Sequence, residues 1–446
     1  MGKGSTEVID NNVAGVSKDQ LKYKINDKPS LKVAIPLAIQ HLVAAFSGIV
    51  AVPLVVGGVL GLSASEMTFF VNATLFMAGI ATIIQAYGFG PVGSRLPCVM
   101  GTDFTFVGPS IAVGSTLGLP GIFGATIIGS FTEIILSRFI KPLMKIFPPV
   151  VTGSVVSLIG ITMIPVAIDW AAGGVGSESY GSLANLFLAG IVMVIIIALN
   201  QWGKGMLSSG AILIGIICGY LISIPMGLLD TSAVSNASWA SFPTPFKYGV
   251  KFSLPAILCF IPAYLVTTVE SVGDLIAVGE ASQHEMESKD LSRGLLADGV
   301  GSFIAGIFNA GPNTSFSQNV GIIPITGVAS RFVVVIAGII LALTGLFPKL
   351  GALVAIMPNP VLGGAGIMMF GMIAVGGIKI LKQVNFSRRN SLVVAISFGL
   401  GLAVVVRPDI LKNFPEWAKT ILHSGITTGT IAAILLNLIL PNKKDS

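Results

Sequence analysis

Apolar stretches of about 20 residues recur from Leu31 to Leu440, each long enough as a helix to cross a hydrocarbon core of about 30 Å. The pattern predicts fourteen segments, starting near residues 33, 66, 92, 121, 148, 183, 208, 253, 293, 313, 331, 351, 391 and 417. Before them, residues 1–30 are polar and lack the apolar core of a removable signal peptide, so they read as a soluble tail. The longest non-apolar stretch between segments, DTSAVSNASWASFPTPFKYGVK at 230–251, divides them seven and seven. An odd number in each half sends the second half into the membrane in the opposite sense. Inverted repeats of this kind are a common transporter plan, with the site near the midplane where segments are discontinuous.

Two segments in corresponding positions carry such breaks. The third, PVGSRLPCVMGTDFTFVGPS, holds Pro97, Gly101, Gly108 and Pro109 around a polar centre. The tenth, NAGPNTSFSQNVGIIPITG, holds Pro312, Gly321 and Pro324 around Asn313 to Asn319. Proline removes a backbone donor, and irregular backbone at membrane depth must be buried in protein or line a cavity. Each break therefore predicts a short extended piece running into a half-helix whose first amides face a ligand.

Composition agrees with a polytopic membrane protein: 53% of residues are hydrophobic and 10% charged, against about 25% charged in ordinary soluble domains. With both termini on one side, 20 of the 26 Lys and Arg residues fall on that side, in the tails and in loops such as SRFIKPLMK and KILKQVNFSRR. The positive-inside rule makes it the cytoplasmic side. This asymmetry absorbs the net charge of +6 without nucleic acid as a partner. Cys98, Cys218 and Cys259 are odd in number and set in apolar surroundings, which argues for packing over disulfides or zinc.

Five acidic residues fall inside the segments: Asp103, Glu133, Glu270, Asp274 and Asp298. Ionised at a helix centre, each costs about 2.5–3.5 kcal/mol on insertion scales, so each should face the bundle interior or water. Thr267, Glu270 and Asp274, in YLVTTVESVGDLIAV, share a helix face, which predicts the Thr267 hydroxyl beside Glu270. Two carboxylates in a dry site rarely both ionise, so the pair suits a proton whose affinity changes with substrate binding. Asp298 reads equally as a coupling residue or as a structural acceptor for the broken tenth segment. His41, the one histidine at membrane depth, reads as a hydrogen-bonded packing residue, and Glu133 with Arg138 as a solvated pair near a segment end.

QNVGIIPITG at 318–327 resembles the signature of the nucleobase-ascorbate transporter family, met here by Gln318, Asn319, Gly321, Thr326 and Gly327. VESVGD, LLADG, PPVVTGSVVSLIG and PNPVLGGAGIMMF extend the similarity over residues 31–440. The resemblance implies an α-helical polytopic membrane protein of fourteen segments in two inverted repeats, with short strands in segments 3 and 10. A core domain would comprise 31–140 and 252–348, and a gate domain 141–229 and 349–440. Residues 230–251 would be an extracellular linker and 441–446 a tail. By matching position, Glu270 and Gln318 would bind the nucleobase, flanked by Phe104 and Ser317. Asp298, Asp274, His41 and Asn319 would serve coupling or support, with Thr267 beside them. Relatives have a small polar residue or Asn at Asp103, so its carboxylate is expected to line the site and alter coupling or substrate range.

The chemistry fits, since a carboxylate accepts from ring N–H groups and a Gln amide both donates and accepts. Gln318 and Asp274 resemble the xanthine and urate branch, ranking xanthine first, urate second and uracil third. The expected activity is import by symport with a proton, in preference to sodium, across the plasma membrane with both termini cytoplasmic. No cofactor is expected, and a homodimer through the gate domains is what the family suggests. An anion exchanger or channel on the same fold would want a cationic or neutral centre, and an enzyme would want motifs such as HExxH or GxSxG, which are missing from the sequence.

Overall fold

A computed structural model describes residues 21–140 and 147–441, without the side chain of Ser317. The first half comprises α1 (Leu31–Val59), α2 (Ala64–Tyr87), β1 (Met100–Thr102), α3 (Val107–Gly129), α4 (Phe131–Leu136), α5 (Pro149–Ala171), α6 (Leu183–Trp202) and α7 (Ala211–Ser223). The second comprises α8 (Leu254–Ala281), α9 (Ser288–Ile307), β2 (Asn313–Ser315), α10 (Ile322–Thr326), α11 (Arg331–Gly345), α12 (Pro348–Ala355), α13 (Asn359–Leu381), α14 (Arg388–Val406), α15 (Glu416–Leu422) and α16 (Gly425–Ile439).

Packing repeats between the halves in inverted order. α2 lies on α11, as α9 lies on α3 and α4; α6 lies on α7, as α14 lies on α16. At the centre, α5 crosses its counterpart α13. Small residues permit that crossing, because a Cβ at Gly160, Gly363 or Gly377 would lie 2.3, 2.1 or 2.2 Å from a backbone nitrogen of the facing helix. At the periphery, α6 and α14 are strongly apolar yet only 28% and 22% buried over their central windows, as expected of faces turned to lipid.

Among the described residues, eight helices pass as spans by length and apolarity, and two bent pairs raise the number to ten. The other four of the fourteen expected segments do not pass that test. The fourth is fused to the third across Gly118, whose φ of 68° suits a residue without a Cβ. α7 has 13 residues, α9 opens on the charged SKDLSR, and the tenth is broken. The twelfth begins at Asn359 rather than near 351, since 348–355 forms a separate helix bent 79° from α11.

The tail also departs from expectation. Residues 1–20 lie outside the described residues, but the stretch after them is docked rather than free. Lys22 donates its amide to Gly327 O at 2.7 Å, and Ala329 and Arg331 donate theirs to Tyr23 O and Ile25 O at 2.9 and 3.0 Å. Leu21 and Ile25 pack in the cluster that holds Ile323 of α10. The polar-tail reading does not anticipate these two apolar side chains, which reach a groove only once segment 10 is folded. Residues 141–146, which take in the KPLMK part of the SRFIKPLMK loop, and 442–446 lie outside the described residues.

Candidate functional site

The two breaks meet. β1 and β2 pair antiparallel, with Met100 opposite Ser315, Gly101 opposite Thr314 and Thr102 opposite Asn313. A two-stranded ladder in a bilayer leaves both outer edges without partners, which hydrocarbon cannot supply. Helix side chains fill that need on each side. Thr82 Oγ1 accepts from Met100 N at 2.9 Å and lies 3.2 Å from Met100 O. Ser302 Oγ accepts from Asn313 N and donates to Asn313 O, both at 3.0 Å. Thr82 on α2 and Ser302 on α9 thus do one job in the two repeats. Thr102 donates to Ile49 O at 2.9 Å, the carbonyl that Pro53, four residues on, cannot satisfy within α1. Gly101 is required at the crossing, since a Cβ there would lie 2.5 Å from Ile49 Cγ1.

Each strand runs into a 3-10 turn, Phe104–Phe106 after β1 and Ser317–Asn319 after β2, and then into α3 or α10. Asp103 caps the first turn, its Oδ1 accepting from Thr105 N at 2.7 Å. The expected extended-piece-to-half-helix arrangement is therefore present in both halves, although α10 has only five residues.

Beside the turns lies a cavity of about 280 Å³, at the lower end of the size range of small-molecule sites and suited to a compact ligand. Its polar wall carries Asp103, Phe104 and Thr105, Glu270 of α8, Gln318, and Ser47 of α1. Its opposite wall is apolar: Val156 and Ile159 of α5, Ile212 of α7, and Met369, Met372 and Ile373 of α13. Phe104 meets Phe370 of α13 edge-on, with ring centroids 5.3 Å apart and planes at 87°. No Lys or Arg lines the cavity, and Glu270 Oε2 is buried without a hydrogen-bond partner among the described residues. The side chain of Ser317, expected to flank the ligand, lies outside the described residues.

The remaining expected site residues lie behind this wall. His41 is buried, and its carbonyl and Nδ1 face Asn319 Nδ2 at 2.8 and 3.2 Å, so the two fix the second turn against α1. Asp298 lines no part of the cavity. It accepts from Gln85 Nε2 at 3.0 Å, from Ser315 Oγ at 3.2 Å and from the Ser315 backbone amide, which is the structural-acceptor arrangement for the broken tenth segment. Asp274 lines an adjoining hollow with Glu270.

Two expectations are corrected. Thr267 does not serve Glu270; its hydroxyl donates to Glu133 Oε1 at 2.7 Å. Glu133 in turn is fully buried, and among the described residues no ion pair joins it to Arg138. Spacing along one helix made Thr267 and Glu270 neighbours, but α4 approaches from the other side and takes the hydroxyl. Of the cysteines, Cys98 and Cys259 are buried and Cys218 half-buried.

Gln85 was missed. Its Nε2 also reaches Gly294 O and Ser315 Oγ, while its Oε1 accepts from Ser94 N, so one amide ties α2, α9 and β2 together. The signal is an amide inside the apolar run ATIIQAY, which has no formal charge to mark it as costly at membrane depth. Thr82 and Ser302 gave no comparable signal.

Residues 32–410 match the sequence profile described as the Permease family. A Clostridium perfringens protein provisionally named a purine permease is 54% identical over 96% of this chain and 94% of its own. The uric acid transporter UacT of Escherichia coli is 42% identical over 91% of this chain and 85% of its own, and the xanthine permease of Bacillus subtilis 42% over 91% and 93%. Among solved structures, the transmembrane domain of the cyanobacterial bicarbonate transporter BicA superposes with a TM-score of 0.59 at 18% identity, covering 89% of this chain and 100% of that one. The murine Slc26a9 anion transporter, inward-facing, superposes with a TM-score of 0.61 at 14% identity, covering 94% and 69%. At these identities the likeness establishes the fold alone.

Proposed function

The chain belongs to the Permease family, the nucleobase-ascorbate transporters, and from that premise we propose that it imports a purine nucleobase, xanthine before urate and urate before uracil, by proton symport. The observation that carries the reading is the single cavity uniting Glu270 and Gln318 with Phe104 and Asp103. In it, Glu270 accepts from ring N–H groups, Gln318 reads the neighbouring carbonyl and N–H edge, and Phe104 packs on the ring. Asp103, with one oxygen committed to Thr105, presents a second carboxylate near the base. Relatives named for xanthine and for uric acid, both 42% identical, favour a purine as the substrate class.

In this mechanism substrate and proton bind at Glu270, and the loaded site moves against its apolar wall. Two helix sets support that division. α1 to α4 pack with α8 to α11, α5 to α7 pack with α13, α14 and α16, and the cavity lies between the sets with its polar groups on the first. A single coupled charge moving through 100 mV supplies about 2.3 kcal/mol, enough for roughly fifty-fold accumulation. Anion transport on this fold is the second reading. The acids Asp103 and Glu270 in a cavity lined by no Lys or Arg disfavour it.

Cells expressing the chain and lacking their own purine uptake test the proposal. Labelled xanthine should accumulate unchanged, urate should compete better than uracil, and a protonophore should abolish accumulation. Uptake insensitive to the protonophore would remove proton coupling, and uptake of none of these bases would remove the substrate class.

A further inference from the structure

The cavity holding Glu270 adjoins a second hollow of about 500 Å³. Phe147 and Pro149 line it at the start of α5, Asp274 and Ile276 in the later part of α8, and Ile380 near the end of α13. These helix ends lead into the loops that carry the basic residues. Val156, Glu270 and Gly376 are the residues that line both cavities.

We infer that Val156, Glu270 and Gly376 form the neck through which the base leaves the site toward the basic loops, and that the missing side chain at Gly376 sets its width. This inference rests on the transporter reading above.

Gly376 has no packing reason to be glycine. A Cβ on the adjacent Gly377 would lie 2.2 Å from Ser157 N, whereas a Cβ on Gly376 meets no heavy atom within 4 Å. Glycine inside a helix costs about 1 kcal/mol relative to alanine, so one that packing does not demand calls for another reason. The hollow supplies it, and Gly273, on the opposite wall of the same hollow, is equally unpacked. Other helical glycines are equally unpacked, Gly190 and Gly399 on the lipid-turned α6 and α14 and Gly371 on α13, but none of them lines either cavity; Gly376 is set apart by its place at the junction of the two. Across the neck, Val156 is a stiff β-branched side chain, and Glu270 hands the ligand from one cavity to the next.

The test uses the full chain in cells and in detergent. Wild type is measured first; if it accumulates none of xanthine, urate or uracil, the transporter reading fails, independently of the neck. If wild type transports, Gly376→Ala and Gly376→Leu should slow uptake in order of size, the Leu variant by at least about tenfold. Equilibrium binding of labelled xanthine to the purified protein should fall by much less than uptake does, since Gly376 lines the edge of the site and the neck together. Unchanged uptake by Gly376→Leu, or loss of binding together with uptake, overturns the inference. Gly376→Cys in a background without Cys98, Cys218 and Cys259 gives a second readout. A membrane-impermeant thiol reagent should label it in inside-out vesicles only, with bound xanthine slowing the reaction, while labelling from the opposite face or from neither overturns the assignment.

Discussion

Thr82→Val keeps the side-chain volume and removes the hydroxyl that closes the outer edge of β1. Thr82 and Met100 are fully buried, and Met100 N donates to Thr82 Oγ1 at 2.9 Å. Without that acceptor the amide has no water to turn to. Leaving a buried backbone donor unpaired costs about 1–3 kcal/mol. Because the ladder places the turn that carries Asp103 and Phe104, the cost falls on the assembled site relative to an opened arrangement, a factor of about 5 to 150 in their equilibrium. The variant should insert normally, melt at a lower temperature in detergent and show a raised KM for xanthine uptake. Ser302→Ala, which strips the matching bonds from Asn313, should do the same at the other edge, and the two effects should add, since they act on separate edges. A Thr82→Val protein with the parent's melting temperature and KM would refute the idea that helix hydroxyls hold the ladder in place.

Four further outcomes follow from the same geometry. Thr267→Val leaves the buried Glu133 carboxyl without its donor and should cost about 1–3 kcal/mol in a thermal-shift assay, whereas Glu133→Gln keeps an acceptor and should stay within about 1 kcal/mol; equal losses would contradict the assigned bond. Gln318→Glu replaces an amide that both donates and accepts with a carboxylate that only accepts, so xanthine should weaken as a competitor of uptake by about tenfold, near 1.4 kcal/mol; unaltered competition would argue against Gln318 reading the base. Deleting residues 1–27 removes the strand docked on 327–331, and at about 0.5–1.5 kcal/mol per lost hydrogen bond it should lower the melting temperature measurably; an unchanged transition would mean the docking is not stabilising. Gly101→Ala puts a methyl 2.5 Å from Ile49 Cγ1, and overpacking of about 1–3 kcal/mol should appear as reduced xanthine binding; undiminished binding would show that α1 can yield.

What was legible in the sequence was whatever composition and spacing report locally. Proline and glycine clusters at matched positions disclosed the two broken segments, because backbone interrupted at membrane depth is improbable without a cavity. Four of the five acidic positions, Asp103, Glu270, Asp274 and Asp298, were legible as inward-facing for the same energetic reason. Which partner each group would meet was not. Thr267 and Glu133 are 134 residues apart, and Gln85 and Asp298 213 apart; only the packing of α4 on α8 and of α2 on α9 brings them together. Glu133 read as a helix-end residue because Arg138 follows it closely in sequence, yet its side chain points inward. The docked tail was illegible for a related reason, since its groove is made by a segment 300 residues later.

The central claim is that Glu270 binds the base and couples its movement to the proton. Glu270→Gln preserves size and removes the carboxylate, and initial uptake of labelled xanthine by intact cells, normalised to protein in the membrane, reads the consequence. The account predicts that accumulation is abolished while membrane insertion is normal. Near-normal accumulation by Glu270→Gln would contradict it.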